Sequence, residues 1–102
     1  MRPRAVLLFD VCMEGFLRKW RKRLRLVGFE CILSPYKDDD QILRFQQLLE
    51  EKRDIPVVIV TYDKRDFPRT RAIVLNIHDK FEEQITDMLI RLAERLRGRC
   101  DT

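Results

Sequence analysis

Short apolar runs separated by helix-length amphipathic segments constrain this chain more than any other feature. Ala5-Val6-Leu7-Leu8-Phe9 has no polar alternation, so a strand at residues 4–10 must be covered on both faces, as in a parallel sheet flanked by helices. Phe16, Leu17, Trp20, Leu24 and Val27 then recur at helical spacing and predict a helix over 13–27, with Gly28 as its stop. A second strand is expected at 29–33, ended by the Ser34-Pro35 turn signal.

The next helix should start at Asp38 or Asp39, either of which can cap free N–H groups, and run to about Lys52 with Ile42, Phe45, Leu48 and Leu49 inward. Asp54 breaks it. A third strand is predicted at 55–61, where Pro56 is tolerable only near the start because it lacks an N–H donor. After the polar segment 62–71, a fourth strand is expected at 72–77. The last helix carries Phe81, Ile85, Met88, Leu89, Leu92 and Leu96, with Gly98 as its end.

The order β-α-β-α-β-β-α predicts an α/β fold: a three-layer α/β/α arrangement around a mostly parallel four-stranded sheet. A ten-residue link leaves the direction of the fourth strand open between hairpin and crossover. A length of 102 residues leads us to expect a single domain over 1–102. No apolar run approaches the ~20 residues of a membrane span, and Met1-Arg2-Pro3-Arg4 is followed by too short a run for a signal peptide, so the expected location is cytoplasmic. Cys12, Cys31 and Cys100 lack zinc-ligand spacing. Cys12 and Cys31 are expected to be small buried hydrophobes, and with His78 as the only histidine, thiol catalysis is discounted.

If the first strand lies between the second and third, the chain reverses its winding there and opens a crevice at the strand C-termini. Asp10 and Asp63 each fall at such an end, and Asp38, Asp39 and Asp40 open a helix. Each has an ordinary role as a turn or cap residue. Gathered together, they are the hard oxygen ligands of a divalent cation such as Mg²⁺ or Mn²⁺, with Asp66 as a further ligand and Glu14 as an outside candidate.

A net charge of +4 understates the asymmetry, because six of the eight residues from Arg18 to Arg25 are Arg or Lys. That octamer contains no Glu for i,i+4 pairing, which favours phosphate contacts by Arg18, Lys19, Arg21, Lys22 and Arg25 over a merely solvated face. Lys64, Arg65, Arg69 and Arg71 are expected to add positive charge beside the acidic loop, and Tyr36 is a candidate for base stacking. Trp20 is read as core and His78 as incidental.

These residues resemble a known family. Leu7-Leu8-Phe9-Asp10, Leu17-Arg18-Lys19-Trp20 through Leu24-Arg25-Leu26-Val27-Gly28-Phe29-Glu30, Asp38-Asp39-Asp40-Gln41-Ile42-Leu43 and Thr61-Tyr62-Asp63-Lys64-Arg65-Asp66-Phe67 follow in order and spacing the short prokaryotic PIN-like proteins and the related RNase module at the C-terminus of some exonucleases. The resemblance implies a PIN-like fold and Mg²⁺- or Mn²⁺-dependent cleavage of RNA. It implies catalytic and metal-binding roles for Asp10, Asp39 and Asp63, with Asp66 as the loop's second aspartate. Tyr62 stands where the family usually has Arg, and Cys12-Met13-Glu14 replaces more polar residues. Some relatives belong to toxin-antitoxin pairs and many are homodimers, so an antitoxin-like protein and a second copy are candidate partners beside RNA. Two other readings compete. One is a PIN-like module that binds RNA or protein without cutting, and the other is a phosphoacceptor receiver domain, whose paired acids and downstream Thr and Lys signals are missing here.

Overall fold

The computed structural model describes residues 2–63 and 67–100 of the chain. Four strands, β1 (Ala5–Phe9), β2 (Phe29–Leu33), β3 (Val57–Thr61) and β4 (Ala72–Val74), form one all-parallel sheet in the order β2-β1-β3-β4. Three helices flank it: α1 (Glu14–Leu26), α2 (Asp39–Arg53) and α3 (Phe81–Cys100). All five residues of β1 are fully buried because the strand is central and covered on both faces.

Strand alternation sorts the core into two layers. Leu7 and Phe9 pack with Phe16, Leu17, Trp20 and Leu24 of α1 and with Met88 and Leu92 of α3. Val6 and Leu8 point the other way, onto Ile42 of α2. The result is a three-layer α/β/α fold with α1 and α3 on one face and α2 on the other. Trp20 is core, as its place in the helical stripe predicts.

The open direction of the fourth strand resolves as parallel to β3. The link from β3 to β4 therefore runs from one end of the sheet to the other; among its described residues there is no helix, and Phe67 is buried in the α2 layer. In α2 the inward stripe is Ile42, Gln46 and, partly buried, Phe45 and Leu49, while Leu48 is 58% exposed. Leu48 sits off the stripe at 100° per residue, and Gln46 can replace an apolar residue because its Nε2 donates to Val57 O (2.7 Å) and Arg71 O (2.9 Å). Val27 and Leu89 also lie further out than their spacing predicts.

Helix ends follow local chemistry. Asp38 accepts from Asp40 N–H (2.9 Å) and caps α2, and Asp54 closes it in the left-handed region at φ 53°. Gly28, at φ 101°, leaves α1 with the Arg4 side chain packed where a Cβ would project. Gly98 does not end α3, which runs on to Cys100. A helical glycine costs only about 1 kcal/mol relative to alanine, so the residue is a weak stop without a left-handed cap to make.

Both free edges of the sheet are covered by arginines. Arg71 and Leu75 bond to β3 through Ile59 N–H and Thr61 O, which turns the Ala72 and Val74 carbonyls outward. Arg95 donates to Ala72 O (2.6 Å) and Arg91 to Val74 O (2.9 Å). On the other edge, Arg21 of α1 donates to Cys31 O of β2 (3.3 Å). Charged side chains seated on edge carbonyls discourage another strand from adding there.

Candidate functional site at the switch point

Because β1 lies between β2 and β3, the chain leaves it in opposite directions, which puts the topological switch point of the parallel sheet at the C-terminal ends of β1 and β3. Asp10 follows β1 directly. Its backbone N–H donates to Val60 O (3.0 Å), and its C=O accepts from Met13 N–H (2.8 Å) in a 3-10 turn, Val11–Met13, that leads into α1. The side chain is held equally firmly. Oδ1 accepts from Val11 N–H (2.7 Å), and Oδ2 accepts from the Thr61 hydroxyl (2.8 Å).

Thr61 ends β3 and is completely buried. Its hydroxyl also accepts the Asp63 N–H (3.1 Å), so one side chain joins the two strand-end aspartates. A hydroxyl has a single proton, and Thr61 spends it on Asp10. The Cys12 thiol, 3.9 Å from Thr61 Oγ1, is then the donor of that weak contact. Cys12 is exposed, contrary to the buried role expected of it, because the 3-10 turn rotates it out while Met13 turns in. Its sulfur still tucks against the strand end. The water lost there, with Asp10's charge adding to it, pushes the thiol pKa up and keeps it protonated. Cys31 is buried as expected, and burial raises its pKa to about 11.

Asp39 is half-buried in the first turn of α2, while Asp38 and Asp40 are exposed. Asp38 is the cap, which leaves both Asp39 and Asp40 without capping duty. Among the described residues, no three His, Cys, Asp or Glu side chains stand close enough together to hold a metal ion. Asp10 and Asp63 nonetheless suit a hard cation in kind and number, since Mg²⁺ is commonly held by one or two carboxylates together with water and substrate phosphate. A carboxylate has about four lone-pair positions, and Asp10 uses two of them on Val11 and Thr61. Asp66, Lys64 and Arg65 lie outside the described residues.

The Tyr62 side chain is braced against the start of α3. Its hydroxyl donates to Gln84 Oε1 (2.6 Å), and Gln84 Nε2 donates to Asp79 O (2.9 Å) and Asn76 O (3.2 Å), tying the start of α3 to the end of β3. Burial pushes the phenol pKa up, so it remains a neutral donor. Glu14 faces Arg18 (3.3 Å), Tyr36 stands edge-on to Phe45 (5.7 Å), and His78 is exposed in a turn held by Asn76.

The basic residues divide. Arg18 pairs with Glu14, and Lys19 pairs with Glu82 (3.2 Å) while lying over the Trp20 and Phe81 rings, so acids outside the octamer supply the partners missing within it. Such exposed pairs contribute little to stability. Arg23 covers Trp20 at 5.1 Å. Arg21, Lys22 and Arg25 are exposed. Arg69 and Arg71 are not beside the carboxylates, since the crossover carries them to the N-terminal end of β4. There Arg71 pairs with Glu50 (2.9 Å), and both arginines line a cavity of about 410 Å³ with Gln46 and Pro56.

Thr61 is the site residue that sequence reasoning missed. Its signal was a lone hydroxyl at the end of an otherwise aliphatic strand. Thr61→Val keeps the branched shape but removes the hydroxyl that orients Asp10, and it is expected to lower any metal-dependent activity of the site by about 10–100-fold, the usual cost of losing a ligand's supporting partner. Steady-state rates beside an unchanged circular-dichroism spectrum would test this; an unaltered rate would remove Thr61 from the site.

No family model, curated protein or solved structure matches this chain. What the structure defines is a class: a three-layer α/β/α domain with a parallel sheet and an acidic C-terminal edge. Among the described residues, no helix is long and apolar enough to cross a membrane.

Proposed function

We propose that this chain is a PIN-like, divalent-metal-dependent ribonuclease that cleaves single-stranded RNA at the edge formed by β1 and β3. One observation carries the reading: the Asp10 carboxylate is fixed from two sides at the switch point, and the hydroxyl that fixes it also holds Asp63. A carboxylate ordered in this way needs little reorganisation to accept a cation. Asp10, Asp39 and Asp63, together with Asp66, are the ligands in this reading. A bound Mg²⁺ or Mn²⁺ supplies Lewis-acid stabilisation of phosphodiester charge and lowers the pKa of an attacking water. The chain's own contribution is to orient Asp10 through Val11 and Thr61, and to present cations on α1 to the RNA backbone.

A second reading, a PIN-like module that binds without cutting, is favoured by the absence of a three-ligand group among the described residues. End-labelled, mixed-sequence single-stranded RNA incubated with Mn²⁺, Mg²⁺ or EDTA separates the two. The ribonuclease predicts fragments with either metal and none in EDTA. Bound but intact RNA under both metals would hand the assignment to the binding module.

A further inference from the structure

The cations of α1 are not equivalent, and their geometry picks out a groove that the acidic edge does not include. A cavity of about 540 Å³ runs along the free edge of β2, between α1 and the start of the chain, lined by Arg2, Arg21, Arg25, Gly28, Glu30 and Cys31 among others. Two of its arginines are pinned by main-chain carbonyls. Arg2 donates to Arg53 O and to Asp54 O (3.0 Å), and Arg21 donates to Cys31 O (3.3 Å). A guanidinium has five N–H donors in a fixed fork, so each keeps donors to spare while its position is set. Glu30 is the acid in the lining, and it is already paired with Arg53 at 2.7 Å. The groove therefore presents uncompensated positive charge on preordered forks, the arrangement suited to phosphate oxygens.

The groove also continues a line of charge. Arg18, Arg21, Lys22 and Arg25 fall at i, i+3, i+4 and i+7, which places them along one side of α1 over about 10 Å. That helix begins one 3-10 turn after Asp10 and ends at the groove. Lys19 and Arg23 leave this line to cover Trp20.

We propose that the groove formed by Arg2, Arg21 and Arg25 binds the phosphodiester backbone of single-stranded RNA, holding the strand along α1 at a distance from the carboxylates. The inference rests on the ribonuclease reading for the identity of the strand, and it can fail separately from it. A groove beyond the cleavage edge makes affinity depend on strand length, so a mononucleotide reaches only part of the binding surface.

The test is fluorescence anisotropy with a labelled single-stranded RNA dodecamer in EDTA over a salt series, run beside the Mn²⁺ cleavage assay. Arg21→Ala/Arg25→Ala is expected to weaken binding on the order of tenfold and to flatten the log K against log salt slope by about 1.4, at ~0.7 for each phosphate no longer neutralised. Arg25→Glu, which leaves the Arg21 hydrogen bond to β2 intact, should weaken binding without altering the melting temperature. Arg44→Ala, on the exposed side of α2, should do neither.

Binding by the double variant equal to that of Arg44→Ala, with the same salt slope, overturns the groove whether or not RNA is cut. So does wild-type binding no tighter to the dodecamer than to AMP, the outcome of a small-anion site. Weakened binding by the groove variants with no cleavage by wild type supports the groove and rejects the ribonuclease.

Discussion

Asp10→Asn is expected to reduce Mn²⁺-dependent RNA cleavage by at least about 100-fold, at or beyond the upper end of what losing a supporting partner costs a metal site. Asparagine is the appropriate probe because it preserves the local hydrogen bonds. Its carbonyl oxygen can still accept the Val11 N–H, and its amide can donate to Thr61 Oγ1 where the carboxylate accepted from it. What is removed is the negative charge and one of the two ligand oxygens. The 3-10 turn should stay capped, and the melting temperature should move by no more than a few degrees. RNA affinity in EDTA should also persist, since the proposed backbone contacts come from arginines on α1 and near the chain start. Cleavage within threefold of wild type would dismiss Asp10 as a ligand, and the proposed chemistry with it. A collapse in melting temperature would instead assign Asp10 to the turn alone.

The reason Asp10 could be placed at the sheet edge from sequence is the same reason β1 could be placed in the sheet. A run of five apolar residues belongs in the centre of a sheet, and the polar residue that stops such a run must lie at its edge. The structure bears this out, with β1 between β2 and β3. Helix positions with a full apolar stripe were equally legible, as Phe16, Leu17, Trp20 and Leu24 demonstrate. What failed was anything decided by a path through space. The sequence between β3 and β4 looks like a polar loop, and only the structure shows that its Phe67 is buried in the α2 layer. Its course puts Arg69 and Arg71 at the far end of the sheet from the acids they follow in sequence. Thr61 was hidden because a threonine in a strand is ordinary for its β-propensity. Its importance comes from the parallel register between β1 and β3, which sets its hydroxyl against Asp10. Leu48 was expected inward and Gln46 takes the buried position instead for a comparable reason: backbone carbonyls at Val57 and Arg71 make a buried amide acceptable, and no composition rule anticipates them.

The same core that positions Asp10 should yield the largest loss of stability, at Phe16. Phe16 is 1% exposed and stands where three elements meet. Its ring lies 6.0 Å from that of Phe9, the residue before Asp10, and 6.1 Å edge-on from that of Phe81 at the start of α3. Edge-on and tilted aromatic pairs add roughly 0.5–1.5 kcal/mol beyond the burial of area. Phe16→Ala removes these and leaves a cavity between packed elements that can close only partly, so the expected cost is about 3–5 kcal/mol. For a single domain with a typical total stability of about 5–15 kcal/mol, that is a large share. In urea, the midpoint should fall by more than about 1 M at an unchanged slope, the mark of a loss of stability and not of a change in the unfolded chain. Leu48→Ala supplies the contrast, since an exposed leucine off the inward stripe should change stability by no more than about 0.5 kcal/mol. Equal losses at the two positions would contradict the placement of α1 and α2 on the sheet. A large loss at Phe16 alone would place the aromatic contact between α1, β1 and α3 at the centre of the domain's stability, since Phe9 of β1 and Phe81 of α3 both pack on that ring.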